Sequence, residues 1–500
     1  ITEGWTGLHD NSTMEGVPIF RLFRGMLVLA VVTVLLYGAI LFRRHNNDRV
    51  VRYNTWGVRR SSDSVQDYLP TINAKFYPPN CTRRTKLALA KVHKTGGTTL
   101  MQIFHRFAYL RNLSLVIPIQ RSRGSINAFY PHGLKKEKCL PPQGEHYDMF
   151  TYHFIYKRDV ITNLLGNDTF FVTIIREPLS HLKSQFHFYD LAKPYKLKGY
   201  KYPLAKFLEN PAAYDHKKPG YLGTRNPMSA DLGMDPTVLR QLTEQAMKWQ
   251  PGQPTNNTAI RIIEALIRKI DRELDLVMIT EYFDEGLVML KRLMCLDIKD
   301  ILYYKTLSFL YKTKDKEVPA SLVETHRKWD IVDHHLYDYF NKSFWSKVDQ
   351  LGDDFRDETV HFKDLNLKVQ RHCSVNDPSN HGALVIPESK WNSPFIVTHE
   401  YCTLMKLGQM CYMTLLRDRN IRYNSDKNQE LLSKTLKAEE GVLYSKRYCA
   451  LCDEISRDCT LNEYIAHLFF EKHISHFHTS FSPHVRTGRG QREVEFKDYS

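Results

Sequence analysis

The sequence has little of what builds a metal site. Its nine cysteines are spread over 500 residues, and Cys449 and Cys452 form a Cys-x-x-Cys pair without the second pair of a zinc ribbon. The adjacent His334 and His335 would point to different faces of a helix, and no second cluster of ligands accompanies them in that segment. We therefore expect no metal, and we predict a disulfide or free thiols at the Cys-x-x-Cys pair.

Long uncharged runs are also scarce, and one of them is informative. Gly25–Phe42 contains 18 uncharged, mostly apolar residues between Arg24 and Arg43. This length just suffices to cross a membrane, and no small-residue cleavage site follows it, so we predict a single-pass signal-anchor helix. The predicted organisation is an N-terminal tail, the anchor, a polar stem, a folded domain and a basic C-terminal extension, at residues 1–24, 25–42, 43–80, 81–420 and 421–500.

The residues around the anchor leave its orientation open. More arginines follow the segment than precede it, and the positive-inside rule then favours a cytosolic main domain. Eight cysteines beyond residue 100 and the five Asn-x-Ser/Thr glycosylation acceptors that follow the anchor instead suit an oxidising lumen. These acceptors are Asn80, Asn112, Asn167, Asn256 and Asn341.

Composition indicates a folded protein with a basic surface. Hydrophobic residues make up 42% of the chain, enough for one large domain or two ordinary ones. The net charge of +15 suits anionic partners such as nucleotides, sulfated sugars, acidic lipids or nucleic acid. A basic balance spread over 500 residues is usually a solvated surface, so charge alone decides little.

Residues 86–100 have the pattern of a strand, a glycine turn and a helix. Leu87 to Val92 is a short apolar run, and apolar residues recur at helical spacing from Leu100 onward. The turn between them offers backbone N–H groups, a helix N-terminus and the charge of Lys94 to an anion. It is not a Walker motif, because the lysine precedes the glycines. A phosphate cradle and a plain connection both remain open at this point.

A second stretch, residues 170–189, repeats this pattern. Phe170 to Ile175 predicts a buried strand, Arg176 stands at its C-terminal end, and Pro178 suits the start of a helix. Ligands of open α/β sheets bind at this rim, and Ser184 follows roughly two helical turns later. The alternative is an arginine that caps a strand and a serine on a solvated helix face.

Two further segments complete the predicted sheet. Leu274–Thr280 is another short apolar run before a helix, and Asp148–Ile155 predicts a strand that contains His153. Strands that alternate with helices indicate a parallel sheet. We therefore predict an α/β fold with a central parallel sheet flanked by helices.

Together these segments resemble the galactose 3-O-sulfotransferases. The resemblance lies in the order and spacing of four motifs and covers about residues 75 to 415. The motifs are Lys91-Val-His-Lys-Thr-Gly-Gly-Thr-Thr99, the segment with Arg176-Glu-Pro, Ser184 and Phe188, Glu281-Tyr-Phe-Asp-Glu285, and the aromatic segment Leu336–Trp345. It implies a P-loop-like sulfotransferase fold for residues 81–420.

The resemblance also implies a donor, a location and partners. The donor is 3′-phosphoadenosine 5′-phosphosulfate (PAPS), with its phosphosulfate bound by the first motif and its 3′-phosphate by Arg176 and Ser184. The first-motif residues are Lys94, Thr95, Gly96, Gly97, Thr98 and Thr99. The family consists of type II Golgi membrane enzymes, which implies a cytoplasmic tail, a lumenal domain and no nucleic-acid partner. The implied acceptor is a galactose-terminated glycolipid, galactosylceramide-like, or a glycoprotein glycan; a homodimer is left open.

The transfer of a sulfuryl group to a sugar hydroxyl requires a base, and we predict His153, with His187 next in line. The family carries a histidine after its middle strand, and an imidazole with a pKa of about 6.5 suits a mildly acidic lumen. Lys94 would stabilise charge on the leaving phosphate. Here Phe154 and Ile155 follow the histidine where the family has Met-Arg, which puts the acceptor contacts in question. The alternative for His153 is a packed core histidine.

Two other functions are kept as alternatives. One is a uronyl 2-O-sulfotransferase or other carbohydrate sulfotransferase with the same donor site. The other is a non-enzymatic membrane glycoprotein that retains the fold for binding. Acceptor assays separate the first from a galactose enzyme, and failure to bind 3′-phosphoadenosine 5′-phosphate (PAP) would favour the second.

Overall fold

The structure is a computed structural model of the chain, and it describes most of the region between residues 81 and 425. The described ranges are 81–119, 129–130, 133–215, 223–250, 253, 257–304, 318–374 and 382–425. Within them, no helix has both the length and the apolar character needed to cross a membrane. The predicted anchor Gly25–Phe42, the stem and the Cys449–Cys452 pair lie outside the described residues.

A four-stranded parallel sheet forms the centre of the fold, as predicted. Its strands are β1 Leu87–Ala90, β2 Met149–Phe150, β3 Phe170–Ile175 and β4 Leu276–Ile279, in the order β2-β1-β3-β4. Every residue of these strands is buried, because helices cover both faces of such a sheet. The uninterrupted apolar runs in the sequence therefore predicted the strands correctly.

Helices connect and cover the strands. In chain order they are α1 Gly97–Leu110, α2 Arg158–Leu165, α3 Pro178–Phe188, α4 Pro203–Glu209, α5 Ala212–Asp215, α6 Pro227–Asp231, α7 Pro236–Lys248, α8 Asn257–Glu273, α9 Phe283–Met294, α10 Ile298–Ile301, α11 Ala320–Trp329, α12 Ile331–Cys373, α13 His399–Lys406 and α14 Gln409–Ser425. Helix α12 is interrupted at Gly352. Short 3₁₀ turns lie at Lys136–Lys138 and Thr280–Tyr282, and a hairpin of β5 Leu384–Ile386 and β6 Phe395–Val397 lies outside the main sheet.

The register of the sheet brings three chain segments to one edge. Ala90 pairs with Thr173, and Ile175 pairs with Ile279, so the segments that follow β1, β3 and β4 leave the sheet side by side. These segments carry the first two sulfotransferase motifs and Thr280. The prediction that His153 lies within a strand was wrong, because β2 ends at Phe150 and the next residues leave the ladder.

Within the described part of the chain, two disulfides tie separate segments together. Cys81 pairs with Cys295, directly after α9, and Cys373 at the end of α12 pairs with Cys402 on α13. The first bond stands beside two other contacts between the same segments. Arg83 forms an ion pair with Asp297 at 2.6 Å, and the Arg84 N–H donates to the Met294 carbonyl at 2.9 Å.

Candidate active site

The turn between β1 and α1 forms an open cradle of backbone amides. Lys94 and Gly96 both have left-handed backbones, with φ of 61° and 85°, and Gly96 is exposed. Helix α1 begins directly afterwards, with no acidic residue in its first turn and no side-chain cap. The Thr99 N–H donates to the Gly96 carbonyl oxygen at 3.1 Å, and the amides before it lie at the positive end of the helix dipole, where a helix supplies no acceptors. The cradle therefore has the chemistry of an anion site.

A threonine from the neighbouring strand fixes this turn against the sheet. The Thr280 hydroxyl lies 2.6 Å from the Thr95 carbonyl oxygen and 2.9 Å from the Ile175 carbonyl oxygen. Thr95 itself is fully buried, whereas Thr98 and Thr99 lie half-buried in the first turn of α1. Thr280 thus holds the cradle and the end of β3 at a fixed separation.

Arg176 lies beside the cradle, as the sequence predicted. It follows β3 directly, and its guanidinium donates to the Lys94 carbonyl oxygen at 3.4 Å. The Arg176 Nε atom is buried and has no hydrogen-bond partner among the described residues. A buried donor without a partner is costly unless a ligand supplies the acceptor. This observation fits an anionic ligand at the predicted position.

Two glutamates hold the turn that carries Arg176. The Glu177 carboxylate caps α3 by accepting the N–H groups of Leu179 and Ser180 at 3.0 and 2.7 Å. Glu281 accepts the Glu177 N–H at 3.2 Å, and its burial raises its pKa. Ser184 lies on α3 as predicted, and it is buried. Glu281 thus helps to fix the turn that carries Arg176.

His153 lies close to the cradle, but both of its ring nitrogens have partners. Its Nδ1–H donates to the Lys91 carbonyl oxygen at 2.8 Å, and its Nε2 lies 2.9 Å from the Lys91 ammonium. Burial, followed by the charge of Lys91, lowers the pKa of His153 well below its usual value. The ring is therefore neutral, and its Nε2 lone pair accepts a hydrogen bond from Lys91.

Of the two stacked histidines, His93 is the one with a ring nitrogen that is not engaged. Its Nδ1–H and its backbone N–H both donate to one carboxylate oxygen of Asp231, each at 2.8 Å. The ring stacks on His153, with centroids 3.8 Å apart. Its Nε2 atom is buried and has no hydrogen-bond partner among the described residues. This is the arrangement of a general base whose tautomer a carboxylate fixes.

Buried hydrogen bonds between α6 and α12 hold Asp231 in position. It ends α6, whose first amides, from Met228 and Ser229, donate to the Asp333 carboxylate at 2.9 and 2.8 Å. Gly233 follows with φ of 82°, and a Cβ there would lie 2.1 Å from the Tyr156 carbonyl oxygen. Only glycine therefore fits at position 233. Through these hydrogen bonds to α6, Asp333 on α12 fixes the position of the Asp231 carboxylate.

Sequence reasoning did not single out His93 or Asp231. His93 stands next to Lys94 in the first motif, which was a local signal that it faces the same site. Asp231 lies 138 residues away along the chain, and no spacing in the sequence links the two. His187, the second candidate base, is exposed in the last turn of α3. Lys94 itself places its ammonium 3.3 Å from the centre of the Phe188 ring.

The described glycosylation acceptors differ in exposure. Asn112 and Asn167 lie in exposed turns. Asn341 instead lies inside α12, and its side-chain oxygen is buried. Asn80 and Asn256 lie outside the described residues. Within the described residues, no group of three or more metal-ligating side chains is arranged around a common point.

Comparison of the sequence with known proteins identifies the family of the chain. The chain is 30% identical over 317 residues to galactose-3-O-sulfotransferase 3 of Mus musculus, covering 61% of this chain and 69% of that protein. It is 29% identical over 301 residues to galactosylceramide sulfotransferase of Bos taurus, covering 59% and 65%. The aligned part thus spans about two thirds of these relatives. The sequence profile described as galactose-3-O-sulfotransferase matches residues 21–395, and the chain belongs to this family.

Proposed function

We propose that this protein transfers a sulfuryl group from PAPS to the 3-hydroxyl of a galactose residue. The observation that carries the proposal is the left-handed glycine cradle beside Arg176, whose buried Nε lacks an acceptor. Family membership supplies the reaction type and the sugar. In the reaction, the bond from sulfur to the phosphate oxygen breaks, a bond from sulfur to the galactose oxygen forms, and the hydroxyl proton passes to a base.

The residues around the cradle divide the work of binding the donor. The amides at Gly96 and Gly97, the hydroxyls of Thr98 and Thr99, and the Lys94 ammonium suit the 5′-phosphosulfate. Arg176 and Ser184, on the next element of the sheet, suit the 3′-phosphate. The same amides and Lys94 stabilise the negative charge that develops on the phosphate oxygen as the sulfuryl group leaves.

We infer that His93, rather than His153, accepts the proton of the galactose hydroxyl. Three features support this inference: the Nδ1–H tautomer that Asp231 fixes, the unengaged Nε2, and the position of His93 next to Lys94. Asp231 stabilises the imidazolium that forms. His153, predicted from the sequence, then acts through Lys91, since its Nε2 accepts the Lys91 hydrogen bond. Lys91 is buried under Gly97, with its Cγ 3.4 Å from where a Cβ would stand.

The proposal also includes an acceptor and a cellular location. We propose a galactose-terminated glycolipid or glycoprotein glycan as acceptor, and a lumenal domain on a type II Golgi membrane anchor at Gly25–Phe42. Two disulfides and the exposed acceptors Asn112 and Asn167 support a lumenal location.

Transfer of labelled sulfate from PAPS to a panel of β-galactosides tests the proposal. We expect label on galactosides and a 3-O linkage in the product. A heparan-type acceptor in the same panel serves as the control for the uronyl 2-O alternative. Labelling of that acceptor alone would refute the galactose assignment, and absence of PAP binding would refute the donor site itself.

A further inference from the structure

The ring of Phe188 lies at the donor site without a role in the reaction described above. Phe188 is the last residue of α3, and its side chain is 42% exposed. The Lys94 ammonium lies 3.3 Å from the centre of this ring, well within the roughly 6 Å over which a ring face attracts a cation. An exposed phenylalanine therefore covers the charge that the donor requires.

Other cations lie near Lys94. The Arg176 guanidinium reaches the Lys94 carbonyl oxygen, and the Lys91 side chain is buried, with its Cγ beneath Gly97 at the start of α1. The charge of Lys94 in turn helps to lower the pKa of Lys91 to about 7, after the larger effect of burial. Before an anion binds, these positive charges repel one another. The electron-rich face of Phe188 is an attraction that opposes this repulsion.

The contact with the ring does not by itself prevent Lys94 from binding the donor. An ammonium group has three N–H donors, and one ring face covers only one side of it. Lysine is otherwise a flexible side chain that loses several rotamers when it binds a ligand. A ring that restricts those rotamers beforehand reduces the loss.

We propose that Phe188 is a positioning residue that holds the Lys94 ammonium at the cradle before the donor arrives. This inference rests on the proposed function, because the anion that Lys94 awaits is the 5′-phosphosulfate. The ring touches neither reacting atom in this account. It acts through Lys94, and its contribution depends on the electron density of its face rather than on its volume.

Progressive fluorination of the ring is the sharpest test, since fluorine withdraws electron density while nearly preserving shape. The full-length protein would carry phenylalanine analogues of increasing fluorine content at position 188, beside Phe188→Leu and Phe188→Tyr. We expect PAP affinity, measured calorimetrically, to fall stepwise with fluorination and roughly three- to tenfold in Phe188→Leu. Phe188→Tyr should stay within about twofold of the unmodified protein. In a Lys94→Met background the fluorine dependence should vanish.

Tyr200→Leu is the matched control. Tyr200 is another half-exposed aromatic residue, and its ring faces the ammonium of Lys206, at 5.4 Å, instead of that of Lys94. Tyr200→Leu should leave PAP affinity unchanged. Equal affinity across the fluorinated series, with loss only in Phe188→Leu, would show that the ring merely packs and would overturn the inference. If the unmodified protein failed to bind PAP, the proposed function itself would fail, which is a different result.

Discussion

Replacing His93 distinguishes the role of His93 from that of His153, the two histidines that stack beside the cradle. His93→Asn keeps a side-chain N–H near the position of Nδ1, so the hydrogen bond to Asp231 is retained while the basic nitrogen is lost. A positioned general base contributes on the order of 10²–10⁴ in rate, about 3–5 kcal/mol, and we expect turnover to fall by that factor. Donor binding should change little, because the contacts of the His93 side chain are with Asp231, His153 and Tyr130.

Asp231→Asn is the second variant and tests the other residue of the His93–Asp231 pair. The carboxylate accepts two N–H groups of His93 and would stabilise the imidazolium by a charge-assisted hydrogen bond of about 1.5–3 kcal/mol. The amide oxygen can still accept these bonds, so the tautomer survives while the charge is lost. We expect a turnover loss of roughly 10- to 100-fold, smaller than that of His93→Asn.

Single-turnover sulfate transfer beside calorimetric titration of PAP measures both effects. His153→Gln is the comparison variant, because it changes the partner in the same ring stack. If His93→Asn kept near-normal turnover while His153→Gln lost it, the proton would pass to His153 and the assignment made here would be wrong. Equal losses in turnover and in PAP binding for His93→Asn would indicate a structural role instead.

Three further outcomes follow from the same site and its surroundings. Arg176→Ala should weaken PAP binding more than Ser184→Ala, by about 1.5–3 kcal/mol for the charged contact; unchanged affinity in a folded Arg176→Ala protein would contradict the 3′-phosphate assignment. Since burial lowers the pKa of Lys91 to about 7, its amine is mostly neutral at about pH 8, and a bound phosphate raises that pKa. PAP binding at that pH should therefore take up protons, seen as a dependence on buffer ionisation enthalpy that Lys91→Met lacks. In intact microsomes the main domain should be protected from protease and carry glycans, with no mass change for Asn341→Gln because that side chain lies within a helix; a cytosolic, unglycosylated domain would end this topology.

The sheet and the cradle were predictable from the sequence because their signals are local. Leu87–Ala90 and Phe170–Ile175 are uninterrupted apolar runs, and a buried parallel strand requires such a run whatever surrounds it. Parallel strands place their C-terminal ends at one edge, so Lys94 and Arg176 could be expected to meet there.

The contacts that favour His93 over His153 as the proposed proton acceptor could not be predicted in the same way. His93 and His153 are both histidines close to the cradle, and only the tertiary structure shows which nitrogen Lys91 occupies. Asp231 reaches His93 through α6, which is fixed by the buried Asp333 on α12. No periodicity encodes such a path, because each step is a contact between segments far apart in the chain.

The Cys81–Cys295 bond also determines where mechanical load enters this domain. With the Arg83–Asp297 ion pair and the Arg84–Met294 hydrogen bond, it secures the chain to the end of α9 before β1 begins. A pull on the preceding chain is thus transmitted to α9, and the segment from Leu87 to Gly97 carries little of it. The cradle is therefore shielded from a pull on the chain that precedes Cys81.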